Sequence, residues 1–154
     1  MLPKHILVPT DLSEGAEQAL DYACELARML GAQVHLLNVI SIPALGVPEL
    51  GVALTASMID DLVVGNQNAI DQLARTRCTA EVGQVMVRTG DARDVINQTA
   101  KELGADLIVM GTHGRRGLSR ALLGSVAENV VRTAPCAVLT VRLRDVHHSD
   151  RDAA

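Results

Sequence analysis

Apolar and polar positions along this chain follow two alternating rhythms. Short, β-branched runs stand at about His5 to Pro9, Gln33 to Val39, Glu81 to Arg88, Leu107 to Met110 and Ala137 to Val141, and each predicts a strand. Between them the apolar residues recur at helical spacing. The clearest case is Ser13 to Leu30, where Ala16, Ala19, Leu20, Ala23, Leu26, Ala27 and Leu30 fall on one stripe with a period of about 3.6 residues. Gly31 then supplies a left-handed stop. Further helices are predicted over about Ser57 to Arg75, Ala92 to Leu103 and Val126 to Ala134, and Pro43, Gly46, Pro48 and Gly51 predict a loop before the second of the four.

Strands that alternate with helices predict an α/β fold of the Rossmann-like, doubly wound kind, a five-stranded parallel sheet with helices on both faces. Right-handed crossovers restrict the topology, and the expected strand order is 3-2-1-4-5. Strand order reverses between strands one and four, and ligands of such sheets sit there, outside the carboxyl ends. The domain is expected over residues 1–144, with a polar tail over 145–154. One local pattern recurs: Ala27-Arg-Met-Leu-Gly-Ala-Gln-Val matches Ala100-Lys-Glu-Leu-Gly-Ala-Asp-Leu. Each reads as a helix end, a glycine stop and a buried strand, a convergent αβ junction rather than a repeat.

Composition narrows the functional classes. A chain of 154 residues with 48% apolar and 21% charged side chains has the balance of one globular domain. A net charge of −4 offers no basic field for nucleic acid, and one Tyr without Phe or Trp offers no base-stacking platform. No stretch approaches the roughly 18 apolar residues of a membrane span, and the run Ile6 to Pro9 is too short for a signal sequence. A cytoplasmic protein without membrane insertion is expected. Cys24, Cys78 and Cys136 form no C-x-x-C pair; their odd count suits a reducing compartment and predicts small core or surface residues.

The candidate chemistry lies at the predicted crevice. Pro9-Thr10-Asp11 ends strand one, and after Met110 comes the long segment Gly111-Thr-His-Gly114-Arg-Arg-Gly117-Leu-Ser-Arg-Ala-Leu-Leu-Gly124-Ser125. Its glycines let backbone N–H groups approach a ligand. Gly124-Ser125 opens helix four, whose N-terminus favours an anion, and Arg115, Arg116 and Arg120 add positive charge. Ser125 with Glu128 also predicts a capping box, worth about 1 kcal/mol without any ligand. Asp11 has two readings. It caps helix one, as Ser13 equally well does, or it faces a ribose or Mg²⁺, since a carboxylate beside a triphosphate is repelled.

Other chemistries find little footing. A dinucleotide site needs G-x-G-x-x-G after strand one, where only Gly15 stands nearby, and a Walker A loop needs Lys where Leu123 precedes Gly124-Ser125. A receiver domain needs an acidic pocket and a Lys after strand five, where Arg142 is nearest. His147-His148 falls in the tail, and His5 and His35 sit in strands, where core or edge placement is expected rather than metal ligation. No nucleophile–base pair is legible, and His113 is a lone loop imidazole.

Gly111-x2-Gly114-x9-Gly124-Ser125 resembles the G-x2-G-x9-G-(S/T) signature of universal stress proteins of the ATP-binding type. The surroundings agree over residues 4 to 142: Ile6-Leu-Val-Pro-Thr-Asp-Leu-Ser, Gly90-Asp91, Ala105-Asp-Leu-Ile-Val-Met-Gly-Thr-His-Gly, Leu122-Leu-Gly-Ser-Val-Ala-Glu-Asn-Val and Ala134-Pro-Cys. The resemblance implies ATP, with Mg²⁺, as ligand. It puts Asp11 at the ribose and the Val39 backbone at adenine, with Pro9 and Thr10 close by. Gly111, His113, Gly114, Gly124, Ser125 and Val126, above Met110, then hold ribose and phosphates. It also implies a homodimer through strand five and a protein partner that the sequence does not name. Ala137 departs from the family's usual second Pro, at strand five rather than in the nucleotide loop. The implied function is regulatory nucleotide binding; the alternatives are a slow ATPase or self-phosphorylating enzyme using Ser125, His113 and Mg²⁺, and a nucleotide-free dimerising module.

Overall fold

The computed structural model describes residues 2–41, 56–112 and 123–142. Its elements are β1 (His5–Thr10), α1 (Glu14–Leu30), β2 (Gln33–Ile40), α2 (Ala56–Arg77), β3 (Glu81–Thr89), α3 (Ala92–Leu103), β4 (Leu107–Gly111), α4 (Ser125–Thr133) and β5 (Ala137–Val141). The five strands form one parallel sheet in the order β3-β2-β1-β4-β5, the topology expected from the sequence. Most of the expected loop at 41–57 and of the tail lies outside the described residues. Element ends differ from expectation by one or two residues. Helix α4 stops at Thr133 because Pro135 forces Ala134 into extended backbone, φ −60° and ψ 145°.

Strand side chains alternate between two cores. Ile6, Val8, Val34, Leu36, Leu107 and Val109 face Ala19, Leu20, Ala23 and Ala27 of α1 and Ala74 of α2. Leu7, Leu37, Ile108 and Met110 face Ile96 and Ala100 of α3 and Ala127 and Val130 of α4. Burial on both faces explains why these strands read as continuous apolar runs. Each buried Leu, Ile or Val contributes about 1.5–3 kcal/mol. The recurring αβ junction folds the same way twice. Gly31 and Gly104 take φ 66° and 60°, and the N–H groups of Ala32 and Ala105 each donate to the carbonyl five residues back, at 2.9 Å.

One expectation is overturned. Cys24 of α1 and Cys78, just past α2, form a disulfide with their Cα atoms 5.4 Å apart, although they stand 54 positions apart in sequence. Cys136 remains a free, half-buried thiol. The pair carries no local motif; it exists because the fold lays the end of α2 beside the middle of α1.

The histidines behave as expected and add a detail. Pairing between β2 and β3 shifts between Val34 and Leu36, leaving an extra β3 residue opposite His35. The His35 ring lies where a Gly83 side chain would be, and its Nδ1 accepts the Gln84 N–H at 3.0 Å. Its Nε2 lies 3.3 Å from Nδ1 of His5. Only neutral imidazole accepts at Nδ1, and burial together with the neighbouring His5 lowers the His35 pKa.

That arrangement makes stability depend on pH. In the unfolded chain His35 protonates near its ordinary value of 6.5, and in the fold only at lower pH. Between the two the unfolded state holds more protons, so stability falls as pH drops below that ordinary value. The urea midpoint should therefore decline from neutral pH towards mildly acid pH. His35→Leu should lower the neutral midpoint, by about 1–3 kcal/mol for the orphaned Gln84 N–H, and flatten the decline. A slope identical in variant and native chain would remove His35 from the explanation.

Candidate functional site

Strands β1 and β4 lie side by side, with Ile6 opposite Leu107 and Leu7 opposite Ile108. From their carboxyl ends the chain departs to opposite faces, into α1 on one and towards α4 on the other. This divergence opens the crevice of a doubly wound sheet.

The β1 side is a tight polar turn. Thr10 is buried; its carbonyl accepts the Asn38 side-chain amide at 2.8 Å, and its hydroxyl accepts the Leu12 N–H at 3.1 Å. Leu12 has φ 62°, a left-handed conformation no other non-glycine residue adopts among the described residues, and such strain gathers where structure over-determines the backbone. Asp11 Oδ1 accepts the Ser13 N–H at 3.0 Å and the Ser13 hydroxyl at 2.5 Å. Ser13 in turn caps α1 by accepting the Ala16 N–H. Of the two capping candidates Ser13 is therefore the cap, and Asp11 holds it from the rim of the crevice.

On the β4 side backbone meets backbone. A Cβ on Gly111 would lie 3.1 Å from the carbonyl carbon and oxygen of Gly15 in the first turn of α1, so any side chain here obliges the α1 backbone to give by a few tenths of an ångström, whatever the ligand. Thr112 follows. Its N–H donates to the Val141 carbonyl at 3.0 Å, and its carbonyl accepts the Gly124 N–H at 2.8 Å. The segment that leaves β4 thus returns to the residue it left from. His113, Gly114 and the three arginines lie between, outside the described residues.

The predicted capping box is not formed. Gly124, tied to Thr112, is the N-cap, with φ −62° and ψ 152° and no side-chain cap bond. Ser125 becomes the first helical residue, one position too late to cap, and Glu128 pairs with Arg132 at 3.3 Å instead. The α4 N-terminus therefore presents its first-turn N–H groups and positive dipole end beside β4 without a side-chain cap.

The remaining site candidates contribute backbone more than side chain. Pro9 and Met110 are buried, and Met110 packs against α3 and α4. Val126 and Val39 are half-buried against the same core. Val39 pairs with Arg88, one residue beyond the Asn38–Thr10 pair that ends the β1 ladder. The third turn on this edge completes itself: Asp91 caps α3 through the Arg93 N–H at 2.9 Å, and its bonds to Arg93 hold its pKa at about 2. Sequence reading assigned nothing to Thr112, Gly15 or Asn38. An asparagine inside a buried strand was a usable signal for the last; the others are visible only in three dimensions.

The universal stress protein family model matches residues 3–142. The chain is 36% identical to a universal stress protein of Methanocaldococcus jannaschii, covering 92% of this chain and 83% of that one. The structure resembles the universal stress protein UspA from Lactobacillus plantarum with TM-score 0.76 and 29% identity, over 90% of this chain and 97% of that one. It also resembles the universal stress protein from Archaeoglobus fulgidus in complex with dAMP, with TM-score 0.59 and 28% identity, over 91% and 98% of the two chains.

The contact between Gly111 and Gly15 is directly testable. Gly111→Ala should push α1 from β4 and destabilise the fold by about 1–3 kcal/mol, read as a lower urea midpoint with unchanged slope. An unshifted midpoint would mean that the two backbones part at no cost.

Proposed function

The chain belongs to the universal stress protein family, and we propose that it works there as an ATP-binding regulatory module of the cytoplasm. Its nucleotide lies at the carboxyl edge between β1 and β4. The observation that carries this reading is the bond from the Gly124 N–H to the Thr112 carbonyl, which plants the α4 N-terminus, free of a side-chain cap, where phosphates need donors. The donor set suits an anion at α4, while the Asp11 carboxylate stands at the other wall, with the ribose. Val39 offers backbone to adenine, with Pro9 and Thr10 beside it. Gly111, His113, Gly114, Gly124, Ser125 and Val126, above Met110, take ribose and phosphates, and Mg²⁺ joins the phosphates. The relative solved with dAMP supports an adenine nucleotide. Nucleotide state alters contacts with a protein partner.

The same reading includes a homodimer. Strand β5 ends the sheet order, and Ala137-Val-Leu-Thr-Val141 carries neither Lys nor Pro, an edge open to two-fold pairing with its copy. Light scattering at tens of micromolar should give about twice the 16.3 kDa of one chain, and Leu139→Pro, if folded, should give the monomer. The single-chain mass for the native protein would end the dimer proposal.

Titration calorimetry separates the two halves of the site. Position 124 has ordinary extended backbone, so Gly124→Val should fold while its branched side chain keeps phosphates off the α4 N–H groups. Losing one or more charge-assisted bonds, each roughly 1.5–3 kcal/mol, should weaken ATP about tenfold to a hundredfold or more and leave adenosine unchanged. Asp11→Ala should weaken ATP and adenosine together. Ser13→Ala, which removes the helix cap and one of the two bonds to Asp11 while keeping the carboxylate, should lower stability by about 1 kcal/mol and weaken both ligands less than Asp11→Ala does. Equal loss of ATP and adenosine on Gly124→Val would mean that the phosphates bind elsewhere.

A further inference from the structure

We propose that the Cys24–Cys78 disulfide is a reducible clasp on α2, opened by a dithiol and closed by a low-molecular-weight disulfide, so that the thiol state of the surroundings sets the order of one side of the domain. This goes beyond the nucleotide reading and does not rest on it.

Three observations carry the proposal. The first is how lightly α2 is held. Of its 22 residues, Ile70 and Ala74 are the buried ones, both in its C-terminal half, whereas α1 buries seven of 17. The bond joins the lightly held helix to the firmly held one. Among the described residues the ion pairs here are those of Arg77 with Glu17 at 2.8 Å and Asp21 at 2.6 Å, partly exposed and each worth little. Opening the bond therefore leaves the α2 end beside α1 on these ion pairs and on the packing of Leu73 and Ala74 in the shared core, a much smaller apolar contact than α1 makes with the sheet.

The second observation is access. Cys78 is half-buried, and a cleft of about 280 Å³ lined by Asp21, Cys24, Glu25, Arg28, Arg77 and Thr79 opens beside the bond. A thiol reductant has a route to sulfur that a disulfide sealed in a core lacks. The third is that the pair has no competitor among the cysteines. Burial pushes the Cys136 thiol pKa up, and nearby Asp106 adds to the shift. Cys136 is thus a poor attacking thiolate, and it packs in the core on the opposite face of the sheet. Exchange returns to the same bond.

The chemistry balances as ordinary thiol–disulfide exchange. A thiolate of the dithiol attacks Sγ of Cys78, the more exposed residue of the pair, and forms a mixed disulfide. Cys24 leaves as thiolate and takes up a proton. The second thiol of the reductant attacks the mixed disulfide and releases Cys78. Two electrons and two protons pass to the protein, which gains two thiols, and the dithiol becomes a disulfide. Re-oxidation by glutathione disulfide runs the sequence backwards and yields two equivalents of glutathione.

The test uses the full chain equilibrated with either glutathione disulfide or dithiothreitol. Alkylation under denaturing conditions followed by intact-mass measurement should count one free thiol in the first form and three in the second. Hydrogen exchange should show faster exchange in the C-terminal half of α2 and in β3 after reduction, with β1 and β4 unchanged. The melting temperature should fall by roughly 5–15 °C. Cys136→Ser should respond to reductant like the native chain. The Cys24→Ser, Cys78→Ser double variant should behave as reduced in both buffers; should it fail to fold, reduction of the native protein still decides. Three free thiols after the oxidant would overturn the clasp, as would equal exchange of α2 and β3 in the two forms, or a disulfide that stays closed in the native state under dithiothreitol.

Discussion

The backbone of β4 touches the backbone of α1 where Gly111 meets Gly15, and much of the molecule follows from that approach. A helix this close to a sheet favours small side chains, and Ala19, Ala23 and Ala27 face the strands beside the larger Leu20. The same closeness fixes where α1 begins, and so where the Asp11–Ser13 turn stands relative to the end of β4. The crevice is narrow on the α1 side because glycine faces glycine. On the α4 side the chain must travel from Thr112 to Gly124 before the helix begins, and the bond between those two residues decides that the helix opens beside β4 rather than elsewhere over the sheet.

The parts of this structure that were legible in the sequence are those written locally. The stripe of α1, the glycine stops at Gly31 and Gly104 and the β-branched strands each rest on interactions within a few residues, and right-handed crossovers then leave little choice of strand order. The misread parts depend on partners far along the chain. Ser125 and Glu128 have the spacing of a capping box, but a bond from Thr112 to Gly124 moves the helix start by one residue and puts Ser125 inside it. Cys24 and Cys78 carry no spacing signal; only the packing of α2 pairs them. The glycine at position 83 looks like a weak point in a strand until the His35 ring is seen over it. For the candidate site the sequence named positions, while the structural roles at those positions came from the fold: Gly111 packs closely on Gly15, Ser13 caps α1, and Asp11 holds Ser13.

Charge accounts for how one crevice suits both an acid and the proposed phosphate site. The chain is net acidic, and Asp11 engages the Ser13 N–H and hydroxyl, which spreads its charge over a turn at the β1 wall. The opposite wall is the positive end of α4. An extended ligand with a polar sugar in the middle and anionic groups at one end is matched by that gradient in one orientation only. A ligand reversed end for end would set phosphate against carboxylate.

Helix α1 also separates the crevice from the disulfide. Gly15 at one end of the interval and Cys24 at the other are nine positions apart, about 13–14 Å along a helix. Over that interval Ala16 is buried, and Ala19, Leu20 and Ala23 pack on the sheet. A helix held along its length does not shift when a bond at one side chain opens. The element free to respond is α2, whose burial is confined to Ile70 and Ala74, and through it β3, which ends the sheet on that side. Any influence of the thiol pair on the proposed nucleotide site must then travel by β2, where Asn38 grips the Thr10 carbonyl, and not through α1.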